Sequence, residues 1–121
     1  MPQVSVSIEE LDGWWIDYVV AQRVCDRKPH IHWAPGGPGI LDLQFEERSG
    51  KKAEFFPSTR WADGGPLLER FKISLKYDGA SGWTASVEDG KSWSDFFPLR
   101  AAMLALIASK VEGDCFIPTY K

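Results

Sequence analysis

The sequence contains little cysteine and carries little net charge, and both shortages exclude some classes of function. Its two cysteines, Cys25 and Cys115, are far apart and lack the close spacing of zinc ligands, so neither a disulfide framework nor a metal motif is indicated. We expect both to be small core or half-exposed residues in a reducing cytosol. The formal net charge of −3 disfavours general binding to nucleic-acid polymers, because phosphate backbones attract basic surfaces.

Long apolar runs and an amino-terminal export signal are also missing. The opening MPQVSVSIEE has neither a basic start nor an apolar stretch. The longest apolar run, residues 101–108, is too short to cross a bilayer and fits a buried helix. We therefore expect a cytoplasmic protein with no membrane partner.

The chain has enough hydrophobic residues for one core, and its two ends read as helices. Its 121 residues, 44% of them hydrophobic, predict a single domain spanning 1–121. Ser7 and Glu10 form a capping-box pattern at the start of an amphipathic stretch that runs to about Val24. A second helix is predicted from about Pro98, with Ser94 or Asp95 as its cap, to Gly113. Its apolar stripe consists of Leu99, Ala102, Met103, Leu106, Ile107 and Val111.

Alternating apolar residues between the two helices predict strands. They occur at 41–45, 69–77 and 83–87, and CFIP near the carboxyl end indicates a further short strand. The order helix, strands, helix predicts an α+β fold, in which a small antiparallel sheet carries an N-terminal and a C-terminal helix on one face.

A six-residue phrase, Trp-Ala-x-Gly-Gly-Pro, occurs twice, at 33–38 and at 61–66. An indole ring offers a face for stacking a base or sugar, and a guanidinium is a forked donor suited to phosphate. Paired glycines let a ligand approach the backbone and can form an anion-binding nest. These groups predict a site for a small anionic, nucleotide-like ligand. Its expected residues are Trp33, Gly36, Gly37, Ser58, Thr59, Arg60, Trp61, Asp63, Gly64 and Gly65.

A structural interpretation of the second phrase remains open beside the functional one. In it, Pro66 locks a tight turn, Trp61 fills the core, Asp63 caps amides and Arg60 pairs with Glu69. The glycine spacing fits neither a Walker nor a Rossmann loop. The two phrases form one cleft only if they meet in space.

Residues for catalysis or metal binding are sparse. His30 and His32 would face the same side of a strand, but the sequence shows no clear third ligand. No Ser–His or Cys–His motif is recognisable, and no two carboxylates pair as acid and base. We expect no metal, no cofactor and no catalytic residue, and an enzyme that hydrolyses a nucleotide signal is the least favoured alternative.

Several segments resemble the NinX-like family of small phage and prophage proteins. They are ELDGWWIDYVVAQ, PSTRWADGGPLLERFKISL, GWTA and PLRAAMLALIASKVEGD, which cover the first helix and most of residues 55–114. Phe56 and Arg60 depart from the family pattern, which more often has Ser and Asp there, and the second departure reverses a charge beside the expected site. The resemblance implies a phage origin and a shared fold rather than an activity.

Small tryptophan-rich phage proteins that sequester a nucleotide signal of the Thoeris defence offer a second likeness, since this chain has six tryptophans. We therefore expect a non-enzymatic accessory protein of an infected or lysogenic bacterial cell that sequesters such a ligand. The alternative is a protein-interaction module that inhibits a host protein, with Trp33 or Trp61 exposed. A homodimer or higher homo-oligomer fits either, because edge strands of a small sheet invite pairing.

Overall fold

A computed structural model describes residues 3–37, 39–80 and 82–119 and confirms the α+β class. The elements within these ranges are β1 (Gln3–Val6), α1 (Trp14–Val19), β2 (Lys28–Trp33), β3 (Ile40–Glu46), β4 (Lys52–Ala53), α2 (Trp61–Arg70), β5 (Ile73–Tyr77), β6 (Trp83–Val87), β7 (Ser92–Asp95), α3 (Pro98–Lys110) and β8 (Cys115–Pro118). The strands form three antiparallel sheets with the orders β1-β8, β2-β3-β4 and β5-β6-β7.

The chain divides into two compact units. One contains the described residues up to Phe55 and those from Gly113 onward, and the other is Phe56–Glu112. In the first unit α1 contacts β8, and in the second α3 packs on β5, β6 and β7. The expected placement of both terminal helices on one face of a single sheet is not confirmed, because α1 and α3 belong to different units. The expectation of a single domain over residues 1–121 stays a prediction.

The amino-terminal helix is shorter than predicted, because Gly13 interrupts it. The carboxylate of Glu10 accepts hydrogen bonds from the Ser7 N–H and hydroxyl, both at 2.9 Å, so the capping box is formed. These bonds lower the pKa of Glu10. They close only a 3₁₀ turn, Ile8–Glu10, since Leu11 is extended and Gly13 has φ +53°. Helix α1 begins after that glycine. A π-helical segment, Val20–Val24, continues it to Val24, where the sequence predicted the end.

The core of the first unit contains a charged residue as well as apolar ones. Ile16, Val20 and Phe45 are fully buried. Asp17 carries a carboxylate but is only 2% exposed, so it lies in the core with the apolar residues. Trp14, the first residue of α1, is 37% exposed.

The second unit is built on the predicted carboxyl-terminal helix. Every residue of its apolar stripe is buried, which confirms the stripe as core. The N-cap is Phe97 rather than Ser94 or Asp95, although the Asp95 carboxylate accepts the Phe97 N–H at 3.2 Å. The helix ends at Lys110, before Gly113 at φ +73°.

Both cysteines are core or half-exposed residues, as expected. Cys115 is buried, Cys25 is half-buried, and burial raises the pKa of the Cys115 thiol. No helix within the described ranges has the length and apolarity needed to span a bilayer.

Candidate functional site

The second tryptophan phrase forms the beginning of α2 and not the tight turn that its Gly-Gly-Pro predicts. The carbonyl of Phe56 accepts the N–H groups of Thr59 at 3.1 Å and of Arg60 at 2.8 Å, which closes a turn before the helix. Arg60 is the N-cap, and its carbonyl accepts the Gly64 N–H at 2.8 Å. Gly64 and Gly65 both lack the positive φ of a left-handed glycine turn, so their predicted amide nest is not formed.

Gly64 is a glycine because of close packing. It is buried, and a Cβ at this position would touch the carbonyl oxygen of Pro57 and lie 2.8 Å from Cδ2 of Leu99. A Cβ on Gly65 would meet nothing within 4 Å. The first glycine therefore has a structural role, and the second lies where a ligand could approach the backbone.

Phe56 organises the segment around the start of α2. Its N–H donates to Oδ2 of Asp63 at 2.9 Å, and its ring lies 4.7 Å from the guanidinium carbon of Arg60. The Asp63 carboxylate therefore caps an amide, as the structural interpretation expected, but the amide precedes the helix. Sequence reasoning did not assign a role to Phe56, although an aromatic residue four positions before an arginine was a readable signal.

The exposed side chains at this helix end include a cation, an aromatic ring and a hydroxyl. Trp61 is 56% exposed, so the expectation that its ring fills the core is wrong. Thr59 and Arg60 are exposed, whereas Ser58 is only 7% exposed. Among the described residues, no side-chain capping hydrogen bond is formed at the N-cap of α2, and the macrodipole gives that end a partial positive charge.

The first tryptophan phrase folds as a hairpin loop. Trp33 ends β2 at an irregularity in its pairing with β3, and the Ala34 N–H donates to the Gly39 carbonyl at 2.6 Å. Gly36 adopts φ +75°, which the hairpin requires and which glycine accommodates without strain. The Gly37 N–H reaches the Ala34 carbonyl at 3.4 Å, and Pro38 lies outside the described residues.

The same phrase thus takes two conformations, and the ten expected site residues form two local groups. Trp33, Gly36 and Gly37 belong to the first compact unit, and residues 58–65 belong to the second. Local sequence identity did not impose one structure, because strand pairing decides the first case and the turn at Phe56 decides the second.

The two histidines lie on one face of β2, as their spacing predicts. Nε2 of His30 lies 2.9 Å from Oε1 of Glu46, while His32 is exposed and opposite Asp42. Across the described ranges, no three His, Cys, Asp or Glu side chains are grouped to hold a metal ion.

Comparison with known families gives one match relevant to this segment. Residues 7–110 match the family model described as Bacteriophage P22, NinX, and this range includes all of α2 and the turn before it. No curated protein matches the chain.

Proposed function

We propose, on the premise that this chain belongs to the family described as Bacteriophage P22, NinX, that it binds and sequesters a small anionic, nucleotide-like ligand as a phage or prophage accessory protein. The site proposed for the ligand is the start of α2. Removing a nucleotide signal of host defence would be one use of such sequestration. The proposal gives no residue a bond-breaking role.

The uncapped first turn of α2 is the observation that carries the proposal. The N-cap is a cation, Arg60, where Ser, Thr, Asp or Asn would ordinarily accept an amide. The N–H groups of Asp63 and Gly64 bond to the Arg60 carbonyl at 3.1 and 2.8 Å. Those of Trp61 and Ala62 have no acceptor among the described residues. An anion at this end would meet exposed amides, a positive helix end and a guanidinium.

The neighbouring side chains supply what a nucleotide needs beyond its phosphate. The indole of Trp61 offers an exposed face for a base, and base–aromatic stacking contributes about 1–3 kcal/mol. The ring of Phe56 restrains Arg60, which reduces the entropy lost when the guanidinium binds. The Asp63 carboxylate is bonded to the Phe56 N–H, so its charge is partly compensated.

Isothermal titration against cyclic and ADP-ribose-type nucleotides tests the proposal. We expect Arg60→Gln to weaken binding by roughly tenfold or more, since a charged hydrogen bond contributes about 1.5–3 kcal/mol and about 1.4 kcal/mol is tenfold. Arg70→Gln is the matched control, because Arg70 is an exposed arginine of the same helix, 4.8 Å from the Phe71 ring, at the opposite end. Absence of micromolar binding to every nucleotide, or equal loss in both variants, would sink the idea.

The exposure of Trp61 also favours a second candidate, a module that binds and inhibits a host protein. Tyr77, Phe96 and Phe97 are likewise exposed, at 62, 73 and 66%. Exposed aromatic side chains are typical centres of protein interfaces. This candidate predicts that tagged protein retains a host protein from lysate, that Trp61→Ala loses it, and that the nucleotide panel gives no heat. Retention unchanged by Trp61→Ala would reject this surface as the contact.

A further inference from the structure

Strand β7 is an edge of the β5-β6-β7 sheet, and its outer side carries backbone groups available for another strand. Ser92 and Ser94 are exposed, and Trp93 and Asp95 are half-buried. The four residues contain neither the proline nor the bulge with which natural edges avoid pairing. The opposite edge, β5, is contacted by α2.

The alternation of hydrogen-bonded and non-hydrogen-bonded residue pairs along the sheet identifies which backbone groups of β7 face outward. The Val87 N–H donates to the Lys91 carbonyl at 3.1 Å, so these residues form a hydrogen-bonded pair. Such pairs alternate along an antiparallel ladder, which makes Ala85 with Trp93 the next one. The N–H and C=O groups of Ser92 and Ser94 therefore point away from β6.

Two other observations agree with this alternation of residue pairs. The Asp78 N–H donates to the Gly82 carbonyl at 2.9 Å, which by the same alternation directs the backbone groups of Thr84 toward β5. The hydroxyls of Thr84 and Ser94 lie 2.7 Å apart. Side chains approach closest in pairs that are not hydrogen-bonded, and the alternation makes Thr84 and Ser94 such a pair.

The charges along this edge are complementary to those of a second copy that runs antiparallel to it. Residues 91–95 read Lys-Ser-Trp-Ser-Asp, so a copy running antiparallel and centred on Trp93 places Lys91 opposite Asp95 at both ends. In this register Ser92 lies opposite Ser94 of the copy, and these residues carry the outward groups. Lys91 is exposed and forms no ion pair with any described residue.

We propose that two copies of this chain associate through β7, antiparallel about a two-fold axis at Trp93, to form one continuous six-stranded sheet. Backbone bonds between Ser92 and Ser94 hold the two strands together. Lys91 of each copy pairs with Asp95 of the other and fixes the register. Phe96 and Phe97, 73 and 66% exposed, follow the strand and add apolar surface at each end of the interface.

Asp95 can serve this interface without losing its contacts at the start of α3. Its Oδ2 accepts the Phe97 N–H at 3.2 Å and lies 3.3 Å from Nε of Arg100. A carboxylate has two oxygens and about four acceptor directions, so a lysine of the second copy is accommodated. The Asp95 side chain is 20% exposed, which leaves it within reach.

A proline on the outer side of β7 is the sharpest test. Ser94→Pro removes an N–H that does not bond to β6, so the fold is retained, as edge strands tolerate proline at such positions. Ser94→Ala is the matched control, because it loses the same hydroxyl but keeps the N–H. By light scattering after size exclusion, we expect twice the 13.6 kDa chain mass for the wild type and the control, and the single mass for Ser94→Pro.

The outcomes separate clearly. A wild-type chain that stays monomeric up to millimolar concentration overturns the proposal, and so does a Ser94→Pro variant that dimerises as strongly as Ser94→Ala. Lys91→Glu alone is expected to weaken the dimer, because two acidic groups then face each other. Mixing Lys91→Glu with Asp95→Lys restores both ion pairs in a heterodimer. This outcome is not expected if either residue acts only within its own chain.

Discussion

At the residue scale, Gly64 is a glycine that the sequence pattern assigns to a turn. Contacts from other parts of the chain are what require it. Glycine within a helix ordinarily costs about 1 kcal/mol relative to alanine. Here the Pro57 carbonyl and the Leu99 side chain fill the space that a Cβ would need. The Gly-Gly pair thus combines one residue required by packing with one that is not.

The two glycines give a matched prediction. We expect Gly64→Ala to lower the free energy of unfolding by about 1–3 kcal/mol, as overpacked positions do. Gly65→Ala is expected to change it by less than about 1 kcal/mol, because the gain in helix propensity is offset by the restriction that Pro66 places on the preceding residue. Thermal unfolding followed by circular dichroism measures both, and equal losses would contradict the packing explanation.

At the element scale, Ser109 connects α3 to the turn between β6 and β7. Its hydroxyl donates to the Ala105 carbonyl at 2.8 Å and accepts the Lys91 N–H at 2.8 Å. Gly90 leaves room for this contact, since a Cβ there would lie 2.6 Å from Oγ of Ser109. The helix therefore holds a strand that has little apolar pattern of its own.

Removing this hydroxyl tests the connection. Ser109→Ala is expected to lower the free energy of unfolding by about 0.5–1.5 kcal/mol, the net contribution of an ordinary hydrogen bond, and to speed hydrogen exchange at the Lys91 amide. Ser74→Ala is the control, because Ser74 is an exposed serine of β5 in the same sheet. If denaturant midpoints of the two variants coincide, the bond does not stabilise the turn.

Elements with their own periodicity were predictable, and elements held by distant contacts were not. Alternation gave β6, and the apolar stripe gave α3. Helix α2 was mistaken for a loop because Gly64, Gly65 and Pro66 are poor helix formers, and tertiary packing overrode that weak preference. Strand β7 was not predicted, because Trp93 is its one apolar residue and the segment therefore carries no alternating apolar pattern.

At the scale of the whole molecule, the first compact unit is assembled from both ends of the chain. Strand β1 pairs with β8, with Val6 opposite Cys115. All of Phe56–Glu112 lies between these strands in the sequence. The β1–β8 ladder therefore closes a loop that contains the second unit, and folding of that unit shortens the loop to be closed.

The two units should consequently unfold together. We expect calorimetric and van't Hoff enthalpies to agree, and tryptophan fluorescence and far-ultraviolet circular dichroism to give coincident transitions, as for one cooperative domain. Both units contain tryptophans, Trp15 in the first and Trp83 in the second, so fluorescence reports on each. Two separated transitions would refute the single-domain prediction.

The sequence by itself determined the α+β class, the buried helix α3, the alternating strands around residues 41–45 and 83–87, and the resemblance that the family match confirms. These rest on local periodicity and on motifs that each segment carries alone. Only the tertiary structure decided that the repeated tryptophan phrase is a hairpin loop at Trp33 and a helix start at Trp61, and that Asp17 is buried. The reason is physical: a short polar or glycine-rich segment has nearly equal preferences for several conformations, so strand pairing and packing select among them.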